Sequence, residues 1–337
     1  MKRVKVGLNG FGRIGRVFTR ISLLRDSFDI VAVNTRKTEP SMLAYLLQYD
    51  SIYRKFAKNL QANDNKITIE GKKIIATNFA RPEDIPWEQY EADIVVDATG
   101  VFVTTADLQK HLKGSVKKVI MTSPSKDDAT PHLVLGVNDQ DFDFTNNNIV
   151  SNCSCTTNSA SPLFKVLDDN FKVVSGFLTT SHAYTQTQSL LDDAGKTADR
   201  SRAAALNIVP TTTGAAKAVI KTLPHLAGKI DGMAVRVPVP IVSFSDVSAV
   251  VEKQTTIEKV NQVFKTAAAG SLKGILDYAT EVLVSSDYIG SSYSSIFDAN
   301  YTKVINGNFV KVFGWYDNEW GYSTRLVDLV EKLSNYV

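Results

Sequence analysis

Cysteine and histidine are scarce in this chain of 337 residues, which carries two of the first and four of the second. The cysteines, Cys153 and Cys155, are separated by one residue, a poor geometry for a disulfide and useless as a long-range staple. So little cysteine fits a reducing compartment. No CxxC, HExxH or HxH spacing occurs, so no metal site is expected. Long apolar runs are also missing. The longest, such as residues 94–96 and 247–251, are short and broken by polar residues, far from the ~20 apolar residues of a membrane span. A dominant charge is missing too. Lys plus Arg is 38 and Asp plus Glu 35, a net charge of +3, too small and too evenly spread to require nucleic acid as partner. The first residues run into a strand pattern with no apolar h-region, so a cytoplasmic location is expected.

What is present is enough for a globular protein of two domains, since hydrophobic residues make up 44% of a chain this long. The first half alternates strand and helix patterns. Strands are expected at residues 4–8, 30–33, 94–96 and 118–121, and helices at 13–25, 42–47 and 105–112. Residues 66–69 and 73–76 flank Glu70-Gly71-Lys72 as a hairpin. Strands that end in Asp97-Ala98-Thr99-Gly100 and in Thr122-Ser123-Pro124 put ligand-type side chains at their carboxyl ends. This is the pattern of an α/β fold with a Rossmann-type doubly wound parallel sheet. After Cys155 the texture changes. A helix at 157–168 precedes longer strands at 173–182, 232–237, 243–251 and 310–315. They imply a second, α+β catalytic domain with a mixed or antiparallel sheet. The expected division is 1–152 and 153–318, followed by an amphipathic C-terminal helix within 319–337.

Gly10-Phe11-Gly12-Arg13-Ile14-Gly15 matches G-x-G-x-x-G between a strand and a helix. The first glycine permits the tight turn, the second lets backbone approach a pyrophosphate, and the third lets helix and strand pack. The helix start adds free N–H groups and a positive dipole end. A dinucleotide is expected there. NAD selection usually needs a carboxylate at the end of the second strand. That strand instead ends Val33-Asn34-Thr35-Arg36-Lys37. The missing acid and the two cations lean the reading toward NADP, or toward use of both cofactors.

Cys155 sits just before a helix whose first turn is Thr156-Thr157-Asn158. Orphan N–H groups and the dipole there favour a thiolate, and the hydroxyls and amide offer oxyanion donors. A lone cysteine is more often a small buried hydrophobe. His182 follows at the end of an apolar strand, where a histidine either returns to the sulfur as its base or is simply a satisfied polar residue at the core rim. Arg200 and Arg202 lie in a polar segment, residues 185–202, too long for an idle connection. Thr211-Thr212-Thr213-Gly214 opens a helix and offers another anion site. Arg236 interrupts an apolar strand, which calls for an anion or an outward orientation. Together these imply a phosphorylated substrate.

The run Ser154-Cys155-Thr156-Thr157-Asn158 with His182-Ala183-Tyr184-Thr185 downstream resembles the phosphorylating glyceraldehyde-3-phosphate dehydrogenases. So do Asn9-Gly10-Phe11-Gly12-Arg13-Ile14-Gly15-Arg16, Leu46-Leu47-Gln48-Tyr49-Asp50-Ser51, Thr213-Gly214-Ala215-Ala216-Lys217-Ala218, Arg236-Val237-Pro238, Ser294-Ser295-Ile296-Phe297-Asp298 and Trp315-Tyr316-Asp317-Asn318-Glu319. The resemblance covers nearly the whole chain. It implies Cys155 as nucleophile and His182 as its base. Ser154 and Thr156 join the sulfur's run, which binds substrate and phosphate. Thr185, Arg200 and Arg236 would hold the substrate's phosphate, and Thr213 and Gly214 the attacking inorganic phosphate. Gly10, Phe11, Gly12, Arg13, Ile14, Asn34, Thr35, Arg36, Arg81, Thr99, Thr122 and Asn318 would contact NAD or NADP, Asn318 orienting the nicotinamide carboxamide.

The resemblance further implies a homotetramer in which residues 185–202 reach a neighbour's cofactor site and the C-terminal helix packs on the cofactor domain. Its substrates would be glyceraldehyde 3-phosphate and inorganic phosphate. Three positions depart from the family pattern. Thr35 replaces the ribose-binding Asp, Asp193-Ala194 stands where NAD-specific members often carry Leu-Pro, and Cys153 replaces the usual Ala. The alternatives are an erythrose-4-phosphate dehydrogenase, or a non-catalytic nucleotide- or RNA-binding relative.

Overall fold

The computed structural model describes residues 3–36 and 38–337. Among them the chain forms two compact units. The first holds the described residues up to Leu133 with Asp141–Cys153 and Ser323–Val337; the second holds Val134–Gln140 and Ser154–Tyr322.

The first unit is built on an eight-stranded sheet. Its strands are β1 (Lys5–Asn9), β2 (Asp29–Asn34), β3 (Leu60–Asn63), β4 (Lys66–Ile69), β5 (Lys72–Thr77), β6 (Ile94–Asp97), β7 (Lys118–Met121) and β8 (Ile149–Ser151). The spatial order is β3-β4-β5-β2-β1-β6-β7-β8. From β5 to β8 every pairing is parallel, while β3, β4 and β5 pair antiparallel at one edge. The doubly wound expectation holds. The antiparallel edge gains β3, whose sequence Leu-Gln-Ala-Asn carries too weak an alternation to be read. Helices α1 (Arg13–Arg25), α2 (Pro40–Gln48) and α3 (Thr105–Gln109) are the connections. β6 and β7 are buried throughout, as expected of central parallel strands whose faces are both covered. The chain order reverses between β1 and β6, the topological switch point where ligands of such sheets bind.

The C-terminal residues belong to this unit. Arg25 pairs with Asp328 and Glu331, Tyr336 stacks on Phe144, and Lys332 Nζ lies 5.0 Å from the centre of the Phe144 ring.

The second unit contains α4 (Cys155–Phe171), α5 (Ala215–Thr222), α6 (Ile257–Ala269) and the first residues of α7 (Trp320–Leu333). Its strands are β9 (Val173–Ala183), β10 (Val209–Thr211), β11 (Ile230–Val237), β12 (Ser243–Val251), β13 (Leu276–Ala279), β14 (Ser295–Asp298), β15 (Lys303–Ile305) and β16 (Phe309–Tyr316). They order as β10-β11-β9-β12-β16-β14-β13, with β15 beside β16, in mixed directions as expected.

Helix α4 is the core of this unit. Leu163, Phe164 and Leu167 pack among Leu178, Val247, Val312 and Phe297, all buried. Its buried hydroxyls are paired, Ser159 with Ser245 and Ser161 with Thr222. A helix held on nearly all sides gives its first residue, Cys155, a fixed position.

Candidate active site

The turn between β1 and α1 has the geometry its glycines predict. Gly10 lies at φ +100°, and a Cβ there would sit 2.7 Å from the backbone of Ala98. A Cβ on Gly15 would meet the Gly10 carbonyl oxygen at 2.3 Å, so this glycine is what lets the helix approach the turn. Around Gly12 a Cβ would meet nothing within 4 Å. Gly12 is the N-cap of α1, with no side-chain cap and no acid in the first turn. An open cradle over uncapped N–H groups fits a pyrophosphate. Arg13, the first helical residue, is paired with Asp50, which also accepts from the Ile52 and Tyr53 N–H groups. Phe11 is buried and Ile14 half-buried.

Thr35 follows the end of β2, Thr99 follows β6 and Thr122 follows β7, so all three share the sheet's carboxyl edge with the glycine turn. The Thr99 hydroxyl donates to Asp97 at 2.6 Å, and the Thr35 N–H donates to the Thr77 carbonyl. Arg36 is exposed, and Lys37 lies outside the described residues. Arg81 is exposed and donates to both oxygens of Asp84.

Asn34 corrects the sequence reading. Its amide turns inward, with 3% of the residue exposed. Nδ2 donates to Asn9 Oδ1 and the Phe79 carbonyl, and Oδ1 accepts from the Phe79 N–H and the Thr77 hydroxyl. The network continues from Asn9 Nδ2 to Asp97, from Asp97 to His111 Nε2, and from the Trp87 indole N–H to His111 Nδ1. Indole only donates, so the ring proton of His111 sits on Nε2, toward Asp97. With both ends of its amide engaged in the protein, Asn34 has no side-chain atom to offer a ribose.

In the second unit the site grows from strand register. The parallel pairing of β9 with β11 sets Arg236 opposite His182; β12 pairs Ser243 with Tyr316 and Phe244 with Ser181. Four adjacent strands thus present Arg236, His182, Ser243 and Tyr316 at one end of the sheet. Helix α4 brings the sulfur. Its N-cap Ser154 accepts from the Thr157 N–H at 3.0 Å, and Cys153 before it takes a left-handed φ of 58°. That fully buried residue forms the turn that delivers Cys155 to the helix start.

Cys155 Sγ lies 3.4 Å from His182 Nε2. His182 Nδ1 is 2.7 Å from the Ala183 carbonyl and 2.7 Å from Arg236 Nη1. Arg236 Nη1 donates to the same carbonyl at 2.7 Å. Among the described residues Arg236 meets no carboxylate, and its charge stays available to an anion.

Burial pushes the Cys155 thiol up, while the Arg236 charge and the Thr156 hydroxyl and N–H pull it down. The net direction is upward. Cys155 is half-buried, so water blunts the desolvation. The surroundings alone do not hold the sulfur ionised, contrary to the expectation from its helix position. Burial, and then the Arg236 charge, bring His182 down to about 3 against the pull of the Ala183 carbonyl. The imidazole is thus neutral, with Nε2 able to accept a proton from the thiol.

Tyr316 is a site residue that sequence reasoning missed. Its hydroxyl bonds the hydroxyls of Thr156 and Thr180, each at 2.9 Å, and its ring stands edge-on to His182. It ties the start of the sulfur's helix to the strand of the base. Burial and then the nearby Cys155 push its phenol well above the usual range, so it is a neutral clamp. The run that contains it, Trp315-Tyr316-Asp317-Asn318-Glu319, carries the family resemblance, which implies a role in that run for Asn318 alone.

Thr185 is half-buried and its hydroxyl bonds that of Thr187 at 2.9 Å. Among the described residues the Arg200 side chain makes only long contacts, 3.5 Å to the Thr211 hydroxyl and 3.4 Å to the Thr212 carbonyl. It is nevertheless near enough to depress both His182 and Arg236 by its charge. Gly214 is the N-cap of α5, again without a side-chain cap, and the Thr213 hydroxyl accepts from the Ala215 N–H. Among the described residues no cluster of His, Cys, Asp and Glu could hold a metal, and no helix is long and apolar enough to cross a membrane.

A dinucleotide-type turn on a doubly wound sheet, and a cysteine–histidine pair beside an arginine on the second sheet, are together the features of an NAD(P)-linked oxidoreductase. Residues 4–105 match the NAD binding domain of glyceraldehyde 3-phosphate dehydrogenase, and residues 154–318 match its C-terminal domain. The chain is 50% identical over 332 residues to glyceraldehyde-3-phosphate dehydrogenase 2 of Nostoc sp., spanning 97% of this chain and 98% of that relative. It is 48% identical over 332 residues to the Geobacillus stearothermophilus enzyme and 47% over 331 residues to glyceraldehyde-3-phosphate dehydrogenase 1 of Bacillus cereus, at 98% of both chains in each case. The chain belongs to the glyceraldehyde 3-phosphate dehydrogenase family.

Proposed function

We propose that this chain oxidises glyceraldehyde 3-phosphate in the presence of inorganic phosphate, yielding 1,3-bisphosphoglycerate and reduced NAD(P). The observation that carries this reading is the 3.4 Å approach of Cys155 Sγ to a neutral His182 beside Arg236. Sγ attacks the aldehyde carbon while His182 Nε2 takes the thiol proton and passes it to the carbonyl oxygen, giving a hemithioacetal on Cys155 and a neutral imidazole again. A bound nicotinamide supplies the hydride acceptor that turns this adduct into a thioester. His182 holds the hydroxyl proton that leaves in that oxidation, and the Cys155 N–H at the helix start steadies the oxygen. Inorganic phosphate at Thr156, Thr213 and Gly214 then attacks the thioester carbon and frees the sulfur.

Arg236, with Arg200 and Thr185, binds the substrate's phosphate. A dianion there offsets the positive charge that weakens His182, so substrate binding strengthens the base. Gly10, Phe11, Gly12, Arg13, Ile14, Arg81, Thr99 and Thr122 hold the dinucleotide, and Asn318 takes the carboxamide. Thr35 and Arg36 favour use of NADP as well as NAD, because the carboxylate that would repel a 2′-phosphate is missing. The enzyme works in the cytoplasm as a homotetramer, with residues 185–202 at a subunit contact.

The test is turnover of glyceraldehyde 3-phosphate with and without inorganic phosphate. A strict phosphate requirement, lost together with all turnover in Cys155→Ser, is expected. Phosphate-independent turnover would favour hydrolysis of the thioester, as an erythrose-4-phosphate dehydrogenase performs. Turnover surviving in Cys155→Ser would sink the mechanism.

A further inference from the structure

The amide of Asn318 is oriented by a residue that the reaction itself does not call for. Asn318 is 5% exposed, at the turn into α7. Its Oδ1 accepts from the Ser243 hydroxyl at 3.1 Å, while its Nδ2 makes no hydrogen bond among the described residues. Ser243 is 1% exposed and accepts from the Ala183 N–H at 3.1 Å. The backbone next to Asn318 is pinned as well, because Asp317 accepts from the N–H groups of Glu319, Trp320 and Gly290.

These contacts leave one arrangement. A hydroxyl that accepts from Ala183 directs its single proton at Asn318. The amide must then turn its oxygen to Ser243, because the reverse would set N–H against O–H. Its NH2 group is left without an acceptor among the described residues, on a residue that is itself only 5% exposed and lies two hydrogen bonds from the strand that carries His182.

We infer that Ser243 is a positioning residue for hydride transfer, fixing Asn318 so that its amide nitrogen meets the carbonyl oxygen of the cofactor's carboxamide. This rests on the reading of Asn318 as the nicotinamide's partner. A carboxamide turned the other way would bring its own NH2 to Asn318, donor against donor. The fixed amide therefore admits one orientation of the ring, hence one ring face for the hydride. The backbone N–H anchoring Ser243 belongs to the residue after His182, so base and ring are referred to the same point of β9.

The experiment compares binding of NAD+ and of ADP-ribose, which lacks the nicotinamide, to the full-length protein by calorimetry. Ser243→Ala is expected to weaken NAD+ about tenfold, close to 1.4 kcal/mol, and to leave ADP-ribose unchanged. In turnover of aldehyde deuterated at C1, the variant should place label on both faces of the reduced ring. Asn318→Ala should show the same selective loss, and the double variant no further loss. Equal weakening of both ligands in Ser243→Ala would mark a merely structural residue and overturn the proposal. Selective loss in Asn318→Ala but none in Ser243→Ala would overturn it also. No selective loss in Asn318→Ala would instead remove the assignment of Asn318 on which the proposal rests.

Discussion

The guanidinium of Arg236 touches the imidazole of His182: Nη1 lies 2.7 Å from Nδ1, and both groups reach the carbonyl oxygen of Ala183. One fixed cation therefore acts on both reacting groups. It pulls the Cys155 thiol down against the push of burial, and it adds to burial in pushing His182 down.

Arg236→Gln removes that charge and leaves a hydrogen-bonding side chain. The thiol should ionise at higher pH, so alkylation of Cys155 by iodoacetamide at neutral pH slows several-fold. The rate–pH profile reports the shift directly. A profile unchanged by the substitution would show that Arg236 does not tune the sulfur.

His182 also links stability to pH. Its folded value of about 3 lies below its ordinary 6.5, so between these limits the unfolded chain binds a proton that the folded chain refuses. The contribution is complete above 6.5 and is lost as pH falls toward 3, by about 1.4 kcal/mol per pH unit in the steep region. Urea unfolding of the wild-type protein and of His182→Asn from pH 7 to pH 4 measures it. The wild type should lose stability faster on acidification, and parallel curves would mean that the imidazole is already charged in the folded state.

Thr35→Asp restores the carboxylate missing at the end of β2. It should raise kcat/KM for NAD and cut that for NADP by about tenfold or more through repulsion of the 2′-phosphate. Arg36→Ala should lower use of NADP alone. A ratio of the two kcat/KM values that ignores both substitutions would place cofactor choice elsewhere in the chain.

What the sequence revealed followed the range of its signals. The glycine turn is local: Gly10, Gly12 and Gly15 each answer to a steric demand within one strand, turn and helix, and the pattern alone locates them. The Cys155–His182 contact spans 27 residues and came from recognisable runs, since β9 gives no sign of where its last residues point. The roles of Tyr316, Thr180 and Ser243 went unread, although Tyr316 lies in a recognisable run, because they arise from the register of β9, β12 and β16, which no single segment encodes. Asn34 was misread for a related reason. Its position at a strand end is that of a ribose contact, but Asn9, Thr77 and Phe79, arriving from other strands and loops, claim its amide first.

The ladder between β9 and β11 has one more consequence. Arg236 and His182 are held in register by backbone hydrogen bonds along the whole of β11, and a parallel strand cannot slide by part of a residue. On the proposed reading, the separation between the cation that holds the phosphate and the carbon attacked by the sulfur is a length set by the main chain. Longer phosphorylated aldehydes must buckle to satisfy both ends, and exchanging side chains can loosen that measuring stick but cannot recalibrate it.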